Sequence, residues 1–217
     1  MAFGVGRGDG LILDLDGTLW DSTATVAAAW SAVVRRMGQP QRTIAPAEIA
    51  AVMGQPHREL CRALLPGLSQ ARQEALVLEC YAEEQRRLHA EGGRLFPGVR
   101  EGLATLARQG PLFIVSNCQR GYIETFLAWS GLGPLFRDTE CHGDTGADKA
   151  ENLRRLVRRN GLHAASYVGD TESDRLAAAQ AGLPFVHGAY GFGQAPQAAE
   201  RIGSFAELVA RMAAPGA

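Results

Sequence analysis

Two aspartates, two positions apart, follow the first apolar run of the chain in the segment "GLILDLDGTLWDS". The continuous apolar run Leu11–Leu13 is typical of a buried strand. Because side chains alternate along a strand, Asp14 and Asp16 are expected on the same side. Close carboxylates repel each other unless they share a cation or a proton, so the pair indicates metal or acid–base chemistry. An ordinary turn is the alternative, since Asp and Gly both favour turns.

Polar residues also follow two later apolar runs. The run "LFIVSN" ends at Ser116 and Asn117, "SYVGD" ends at Asp170, and Asp174 lies four residues further on. Lys149, the only lysine of the chain, begins a predicted helix between these runs. The carboxyl ends of parallel strands meet at one crevice. Carboxylates suit Mg²⁺, and a hydroxyl with a lysine suits a phosphate group.

The elements that must position these residues follow two patterns. Between Ser22 and Glu91 the apolar spacing predicts helices and no strand. Further along, predicted strands at "PLFIVSN", "DTEC", "ASYVGD" and "PFVHG" alternate with predicted helices, which indicates a parallel sheet with helices on both faces. The predicted fold is a doubly wound parallel α/β core, residues 1–19 and 93–217, with a helical cap, residues 20–92, inserted after the first strand.

Composition narrows the class of protein. The chain has 217 residues and a formal net charge of -1, which argues against a protein that binds nucleic acid or a membrane surface. The sequence has no apolar stretch of membrane-spanning length, and its first ten residues contain no apolar signal-peptide region. The four cysteines are scattered, which favours a reducing, cytoplasmic location. Oligomeric state is not predicted.

Four motifs, in order, resemble those of the haloacid dehalogenase-like (HAD) superfamily. "DLDGT" is similar to its first motif, "VSN" to the second, "GADKAENL" to the third and "VGDTESD" to the fourth. The helical insert resembles the C1-type cap of that superfamily. The segments "SNCQRGYIETF" and "AGLPFVHGAYGFG" most resemble its phosphoglycolate-phosphatase-like branch.

The resemblance implies roles for the catalytic residues. Asp14 would be the nucleophile that forms an aspartyl-phosphate. Asp16 would protonate the leaving alcohol and later activate the hydrolytic water. Ser116 and Lys149 would bind the phosphoryl oxygens, where charge develops in the transition state.

The resemblance also implies a magnesium site. Asp14, the main-chain carbonyl of Asp16 and the carboxylate of Asp170 would hold Mg²⁺. Asp174 would act on the metal indirectly or through a water. An alternative for Asp174 is a cap or an ion pair on a helix surface.

Four further residues are assigned to the surroundings of the site. Thr18 and Asn117 are expected at the phosphate pocket, Thr18 by bracing its loop and Asn117 through its backbone N–H. His57 and Arg58 lie in the cap segment that faces the active site in this family, where they would contact a substrate carboxylate. A solvated helix start is an equally good interpretation of that pair.

The predicted function is Mg²⁺-dependent hydrolysis of a small phosphomonoester, with 2-phosphoglycolate as the leading substrate by resemblance alone. In the family pattern, phosphatases and phosphomutases keep the second aspartate, here Asp16, whereas dehalogenases lack it. A β-phosphoglucomutase-like phosphotransferase is the nearest alternative. A catalytically idle module that binds a phosphorylated ligand is the other.

Overall fold

A six-stranded parallel sheet lies at the centre of the chain. The computed structural model describes residues 8–38, 41–55, 57–65 and 68–213. In spatial order the strands are Phe136–Cys141 (β5), Leu112–Ser116 (β4), Leu11–Leu13 (β1), Ser166–Gly169 (β6), Phe185–Gly188 (β7) and Glu200–Ile202 (β8). All five pairings are parallel, and β1 lies in the middle between β4 and β6. The predicted doubly wound α/β fold is confirmed.

The helices fall into two groups along the chain. A first group, between β1 and β4, comprises Thr23–Arg36 (α1), Pro46–Ala50 (α2), His57–Leu64 (α3), Gln70–Glu91 (α4) and Val99–Ala107 (α5). The second group comprises Tyr122–Ser130 (α6), His142–Thr145 (α7), Lys149–Asn160 (α8), Glu172–Ala181 (α9) and Phe205–Ala213 (α10). A short 3₁₀ helix, Gly133–Leu135, precedes β5.

The sheet is covered on both faces, which explains why its inner strands are apolar without alternation. Leu11 and Leu13 pack in one buried cluster, which also includes side chains from α5 and α10. Ile12, whose side chain alternates with theirs, packs in the other cluster with Phe113. That second cluster contains buried residues of α8 and α9.

Helix α8 shows how the local sequence sets these elements. Asp148 is its N-cap and accepts the backbone N–H of Glu151 at 2.8 Å. Leu153 and Leu156 are buried against the sheet, while the arginines of the helix occupy the solvent side. Gly161 ends the helix in the left-handed conformation that a side chain would disfavour. The Asp148 N-cap therefore fixes Lys149, the first residue of α8, at a defined point beside the sheet.

The chain leaves and re-enters the sheet layer through a second, two-stranded antiparallel sheet. Its strands are Trp20–Asp21 (β2) and Arg94–Leu95 (β3), and helices α1 to α4 lie between them. Helix α4 packs on α1 and buries a stripe of residues four positions apart: Leu76, Cys80, Glu84 and Leu88. One member of that stripe is a carboxylic acid.

Three details differ from the sequence-based expectations. The strand expected at "DTEC" begins two residues earlier, at Phe136. Strand β8 of the main sheet and the pairing of β2 with β3 were not predicted. These strands have only two or three residues, which is too short to give an apolar pattern. Ser22 is the N-cap residue of α1, and its hydroxyl makes no capping bond. None of the described helices is both long and apolar enough to cross a bilayer.

The burial of Phe113 predicts a large loss of stability on truncation. Phe113 is fully buried in the second cluster. We expect Phe113→Ala to lower the free energy of unfolding by about 3–5 kcal/mol, because it removes buried ring contacts and leaves a cavity. Urea unfolding followed by circular dichroism measures this. The matched control is Leu176→Ala on α9, whose side chain is 46% exposed, with an expected change below about 1 kcal/mol. Similar losses in both variants would contradict the assignment of the core.

Candidate active site

Asp14 lies directly after the central strand and is buried. Its backbone N–H donates to the Val168 carbonyl at 2.8 Å, which continues the pairing of β1 with β6. The chain then turns tightly through Gly17, whose φ is +79°. A Cβ atom at Gly17 would lie 2.2 Å from Oδ2 of Asp170. Glycine is therefore required for the turn to reach this carboxylate.

The side chain of Lys149 extends from the start of α8 to the end of β1. Its Nζ donates to Asp14 Oδ1 at 2.9 Å and to Asp174 Oδ1 at 2.6 Å. The side chain is 4% exposed, so the ammonium group has exchanged water for two carboxylates. A cation is disfavoured at a helix N-terminus, and these two contacts explain why one is found there.

Asp174 is held by four hydrogen bonds. Its Oδ2 accepts the backbone N–H of Thr171 at 3.0 Å and the Thr171 hydroxyl at 2.6 Å, within the capping box of α9. Its Oδ1 accepts from Tyr167 at 3.1 Å in addition to Lys149. Each oxygen thus already has two donors. The alternative interpretation of Asp174, a cap or an ion pair on a helix surface, is wrong about the location, since the residue is 1% exposed. The capping contact and an ion pair with Lys149 are both present, in a buried site.

Asp170, at the end of β6, has one satisfied and one unsatisfied oxygen. Its Oδ2 accepts the backbone N–H groups of Phe192 at 2.7 Å and Gly193 at 3.2 Å. Its Oδ1 is buried and has no hydrogen-bond partner among the described residues. Oxygens of Asp14, Asp170 and Asp174 lie within 4.8 Å of one another. Such an oxygen-only donor set, with an unsatisfied buried atom, fits a hard divalent cation.

The charges of this cluster do not cancel. Three carboxyl groups face one ammonium, so the cluster would carry two negative charges in excess if all three were ionised. Burial raises the pKa of Asp14 well above its ordinary value, against the opposing charge of Lys149. Burial, together with the charge of Asp174, raises the pKa of Asp170 to about 7. For Asp174, burial is outweighed by the charge and hydrogen bond of Lys149, which hold its pKa below the ordinary value. A divalent cation would balance the cluster.

Asp16 lies in a different environment from Asp14. Its Oδ1 accepts the Ser22 hydroxyl at 2.7 Å and the Tyr122 hydroxyl at 2.8 Å, and these hydroxyls are 2.9 Å apart. Burial raises the pKa of Asp16 to about 6, although both hydrogen bonds oppose the shift, and the charge of Glu84 adds to it. A carboxyl group in this range can give up and recover a proton near neutral pH.

Three other predicted residues surround the two aspartates. Ser116 ends β4, is 4% exposed, and its Oγ accepts the Cys118 N–H at 3.3 Å. The Asn117 side chain donates to the carbonyl of Gly54, at 2.8 Å, and so joins the sheet edge to the segment between α2 and α3. Thr18 is completely buried inside its turn. That position fits bracing of the loop.

A pocket with a cavity volume of about 40 Å³ lies beside these residues. The sheet edge contributes both Asp14 and Asp16, together with Ser116 and Asn117. Helices α1 to α4 and their connections contribute Val26, Trp30, Ile49, Met53, Leu60 and Glu84. His57 and Arg58 begin α3, but their side chains lie outside the described part of the structure.

Tyr122 and Glu84 also line the pocket, and neither of them was assigned to the site from the sequence. Tyr122 lies in the loop-to-helix segment after β4, and no spacing rule links it to an aspartate 106 positions away. For Glu84, the sequence does contain an indication. It occupies the position between Cys80 and Leu88 in the i, i+4 stripe of α4, where a core residue is expected. An acidic residue in an apolar stripe indicates a buried charge with a specific role.

Comparisons with known proteins identify the family to which the chain belongs. The family model for haloacid dehalogenase-like hydrolases matches residues 11–187. A phosphoglycolate phosphatase of Synechococcus elongatus is 36% identical over 185 residues, covering 84% of each chain. The phosphoglycolate phosphatase of Rhodobacter capsulatus is 31% identical over 194 residues, covering 86% of each. A crystal structure of a predicted phosphoglycolate phosphatase from Haemophilus somnus superposes on this chain with a TM-score of 0.84. The match covers 95% of this chain and 99% of that one at 19% identity, which shows a shared fold. The chain belongs to the haloacid dehalogenase-like hydrolase family.

Proposed function

We propose that this protein is a Mg²⁺-dependent phosphatase that hydrolyses a small phosphomonoester through an aspartyl-phosphate. The observation that carries the proposal is the contact of Lys149 with Asp14, 2.9 Å, beside two further buried carboxylates at one edge of the sheet. A binding module needs no excess of buried negative charge, whereas a phosphoryl-transfer site needs a nucleophile and a metal. The relatives' names make 2-phosphoglycolate the first ester to assay.

In the first half-reaction, a carboxylate oxygen of Asp14 attacks phosphorus and the bond to the ester oxygen breaks. The leaving oxygen takes a proton from the Asp16 carboxyl group, whose raised pKa, about 6, keeps part of it protonated near neutral pH. Ser22 and Tyr122 hold that carboxyl group in place through hydrogen bonds to one oxygen. The products are the alcohol and phosphorylated Asp14.

In the second half-reaction, the Asp16 carboxylate takes a proton from a water molecule. The water oxygen attacks phosphorus, the bond to the Asp14 oxygen breaks, and inorganic phosphate leaves. Asp16 thereby returns to its protonated form. The Lys149 ammonium and the Ser116 hydroxyl bind phosphoryl oxygens in both steps, where they offset the developing negative charge.

The metal would be held by Asp14, the main-chain carbonyl of Asp16 and Asp170, whose buried Oδ1 lacks a partner among the described residues. Mg²⁺ supplies positive charge that reduces the repulsion between the nucleophile and the phosphate. We assign Asp174 mainly to holding Lys149, because both of its oxygens are already occupied by donors.

We also propose that residues 20–92 are a cap over this site and that residues 1–19 and 93–217 form the catalytic core. The short β2–β3 pair, where the chain leaves and returns, supports this division. Hydrogen bonds across the division include Asn117 to Gly54 and Gln119 to Glu84, both 2.8 Å. The cap would exclude water from the reacting groups.

Asparagine substitutions separate the roles of the two aspartates. Asp14→Asn should fold and bind but give no phosphate release and no trapped phosphoenzyme, since the amide is a poor nucleophile. Asp16→Asn should slow turnover by about 10²–10⁴-fold, because the leaving alcohol is not protonated. Phosphate release and acid-quench trapping of radiolabelled phosphoenzyme measure both effects. Appreciable turnover by Asp14→Asn would contradict the assignment of the nucleophile.

Exchange of Lys149 for arginine tests the requirement for an ammonium group. We expect Lys149→Arg to lose activity nearly as completely as Lys149→Ala, because a guanidinium is too large for a site with two carboxylates at 2.9 and 2.6 Å. The reverse exchange Arg155→Lys, at a 42% exposed position of the same helix, should leave kcat and KM unchanged. An active Lys149→Arg enzyme would refute the steric reason, and an active Lys149→Ala enzyme would remove lysine from the mechanism.

Stability should depend on pH and metal together. Burial raises the folded-state pKa of Asp170 to about 7, so the protonated form of this group stabilises the metal-free folded protein. The metal-free protein should therefore lose stability as the pH rises toward and through that value. Mg²⁺ binds the ionised form and should therefore raise Tm more at about pH 8 than at about pH 5. Thermal unfolding with Mg²⁺ or with EDTA measures the difference. Asp170→Asn should lose it, and an equal shift at both pH values in the unmodified protein would contradict the proposed metal site.

A further inference from the structure

The loop that follows β7, residues 189–193, carries the donors that hold the carboxylate of Asp170. The backbone N–H groups of Phe192 and Gly193 donate to its Oδ2 at 2.7 and 3.2 Å. At the other end of the residue, the Nε2 atom of His187, in β7, donates to the main-chain carbonyl of Asp170 at 3.0 Å. Asp170 is thus held at two points, and its Oδ1 is the atom that lacks a partner among the described residues.

The 189–193 loop also contacts the turn that follows β1. The Tyr190 hydroxyl donates to the main-chain carbonyl of Thr18 at 2.9 Å. At Gly191, the loop backbone leaves no room for a side chain: a Cβ atom there would lie 2.3 Å from the Gly17 carbonyl oxygen and 2.4 Å from Asp170 Cβ. The loop therefore lies between the two chain segments that carry the proposed metal ligands.

Aromatic packing fixes the position of this loop. The ring of Tyr190 lies edge-on to that of Phe96, with 5.3 Å between their centroids, and the ring of Phe192 lies 6.1 Å from the same partner. Aromatic pairs at such separations are favourable. Phe96 follows β3 and donates its backbone N–H to the Leu19 carbonyl at 3.1 Å. The loop is therefore anchored by contacts that do not involve the carboxylates.

The metal ligands need such an anchor. Asp14 and Asp170 follow different strands, and their carboxylates repel each other when both are ionised and no cation lies between them. A site whose ligands drift apart when it is empty must bring them together again on binding, which lowers its affinity for the metal. Contacts that hold the ligands in place beforehand avoid this loss.

We propose that Tyr190 is a positioning residue of the metal site. Its bond to the Thr18 carbonyl holds the 189–193 loop against the turn after β1, and the loop in turn fixes the carboxylate of Asp170. The inference rests on the metal site of the proposed function, because this contact joins Asp170 to the segment that carries the main-chain carbonyl of Asp16. Tyr190 acts through these ligands rather than binding the cation itself. Removal of such a partner typically changes metal affinity by about 10–100-fold.

A purely structural role for Tyr190 makes a different prediction. If its hydroxyl only stabilised the fold, its removal would lower Tm by the same amount with and without Mg²⁺, and the affinity for Mg²⁺ would not change. A positioning role weakens Mg²⁺ binding and therefore also reduces the increase in Tm that Mg²⁺ produces. The affinity of the folded protein for Mg²⁺ is the decisive measurement, and it requires no turnover.

Tyr190→Phe removes the hydroxyl and keeps the ring that packs on Phe96. Calorimetric titration of the whole chain with Mg²⁺, without substrate, should give a Kd at least about tenfold higher than that of the unmodified protein. In EDTA the variant should lose no more than about 4 °C in Tm, because a single hydrogen bond is removed. Phe96→Leu keeps the hydroxyl but weakens the packing of the loop. It should also raise the Kd for Mg²⁺, and it tests the inference even where Tyr190→Phe does not fold.

Thr105→Val is the matched control, because the Thr105 hydroxyl on α5 also donates to a main-chain carbonyl, that of Glu101 at 3.0 Å. It should leave the Kd for Mg²⁺ unchanged. An unchanged Kd in a folded Tyr190→Phe variant, or an equal increase in Thr105→Val, would overturn the role of Tyr190 alone. Absence of Mg²⁺ binding by the unmodified protein would overturn the proposed metal site and this inference with it. If Mg²⁺ binds but no ester is hydrolysed, the phosphatase proposal fails, and the comparison of Kd values still decides the role of Tyr190.

Discussion

The buried contact of Lys149 with two carboxylates is the constraint on which the rest of the site depends. Removing an ammonium and carboxylates from water is costly, and the cost is offset only where geometry and further hydrogen bonds are good. Here Lys149 lies 2.9 Å from Asp14 and 2.6 Å from Asp174, and Thr171 and Tyr167 supply the remaining donors to Asp174. Burial, with a smaller contribution from the neighbouring carboxylates, raises the pKa values of Asp14 and Asp170. Three carboxyl groups beside a single ammonium fit a divalent cation.

The fold produces this geometry because the N-terminal caps of two helices lie beside the ends of the central strands. The central position of β1 places Asp14 between the ends of β4 and β6. The N-cap of α8 sets the start of the helix that carries Lys149, and the capping box of α9 holds Asp174. Helix caps thus serve stability and the site together. A change at a cap would therefore move a charged group as well as weaken a helix.

Neighbouring residues with the same side chain take different roles because their surroundings differ. Asp14 faces an ammonium and two carboxylates, which suits a metal-bound nucleophile. Asp16 faces the hydroxyls of Ser22 and Tyr122, which suits a group that gains and loses a proton. Glu84 accepts hydrogen bonds from Trp30 and Gln119, which join α4 to α1 and to the segment after β4. In each case the partners of the carboxylate, rather than the residue type, define the chemistry.

The sequence by itself determined the parallel α/β class, the helical insertion and the four polar positions at strand ends, because apolar runs and turn residues are local patterns. It also indicated that Asp14, Asp170 and Lys149 meet, since parallel strands share one carboxyl edge. Only the tertiary structure decided that Tyr122 and Ser22 hold Asp16, and that β2 pairs with β3. These are contacts between residues far apart in the chain, or strands too short to leave a pattern. The acidic residue in the α4 stripe is visible in the sequence, but its partners are not: Trp30 and Gln119 reach Glu84 only because α1, α4 and the end of β4 pack together.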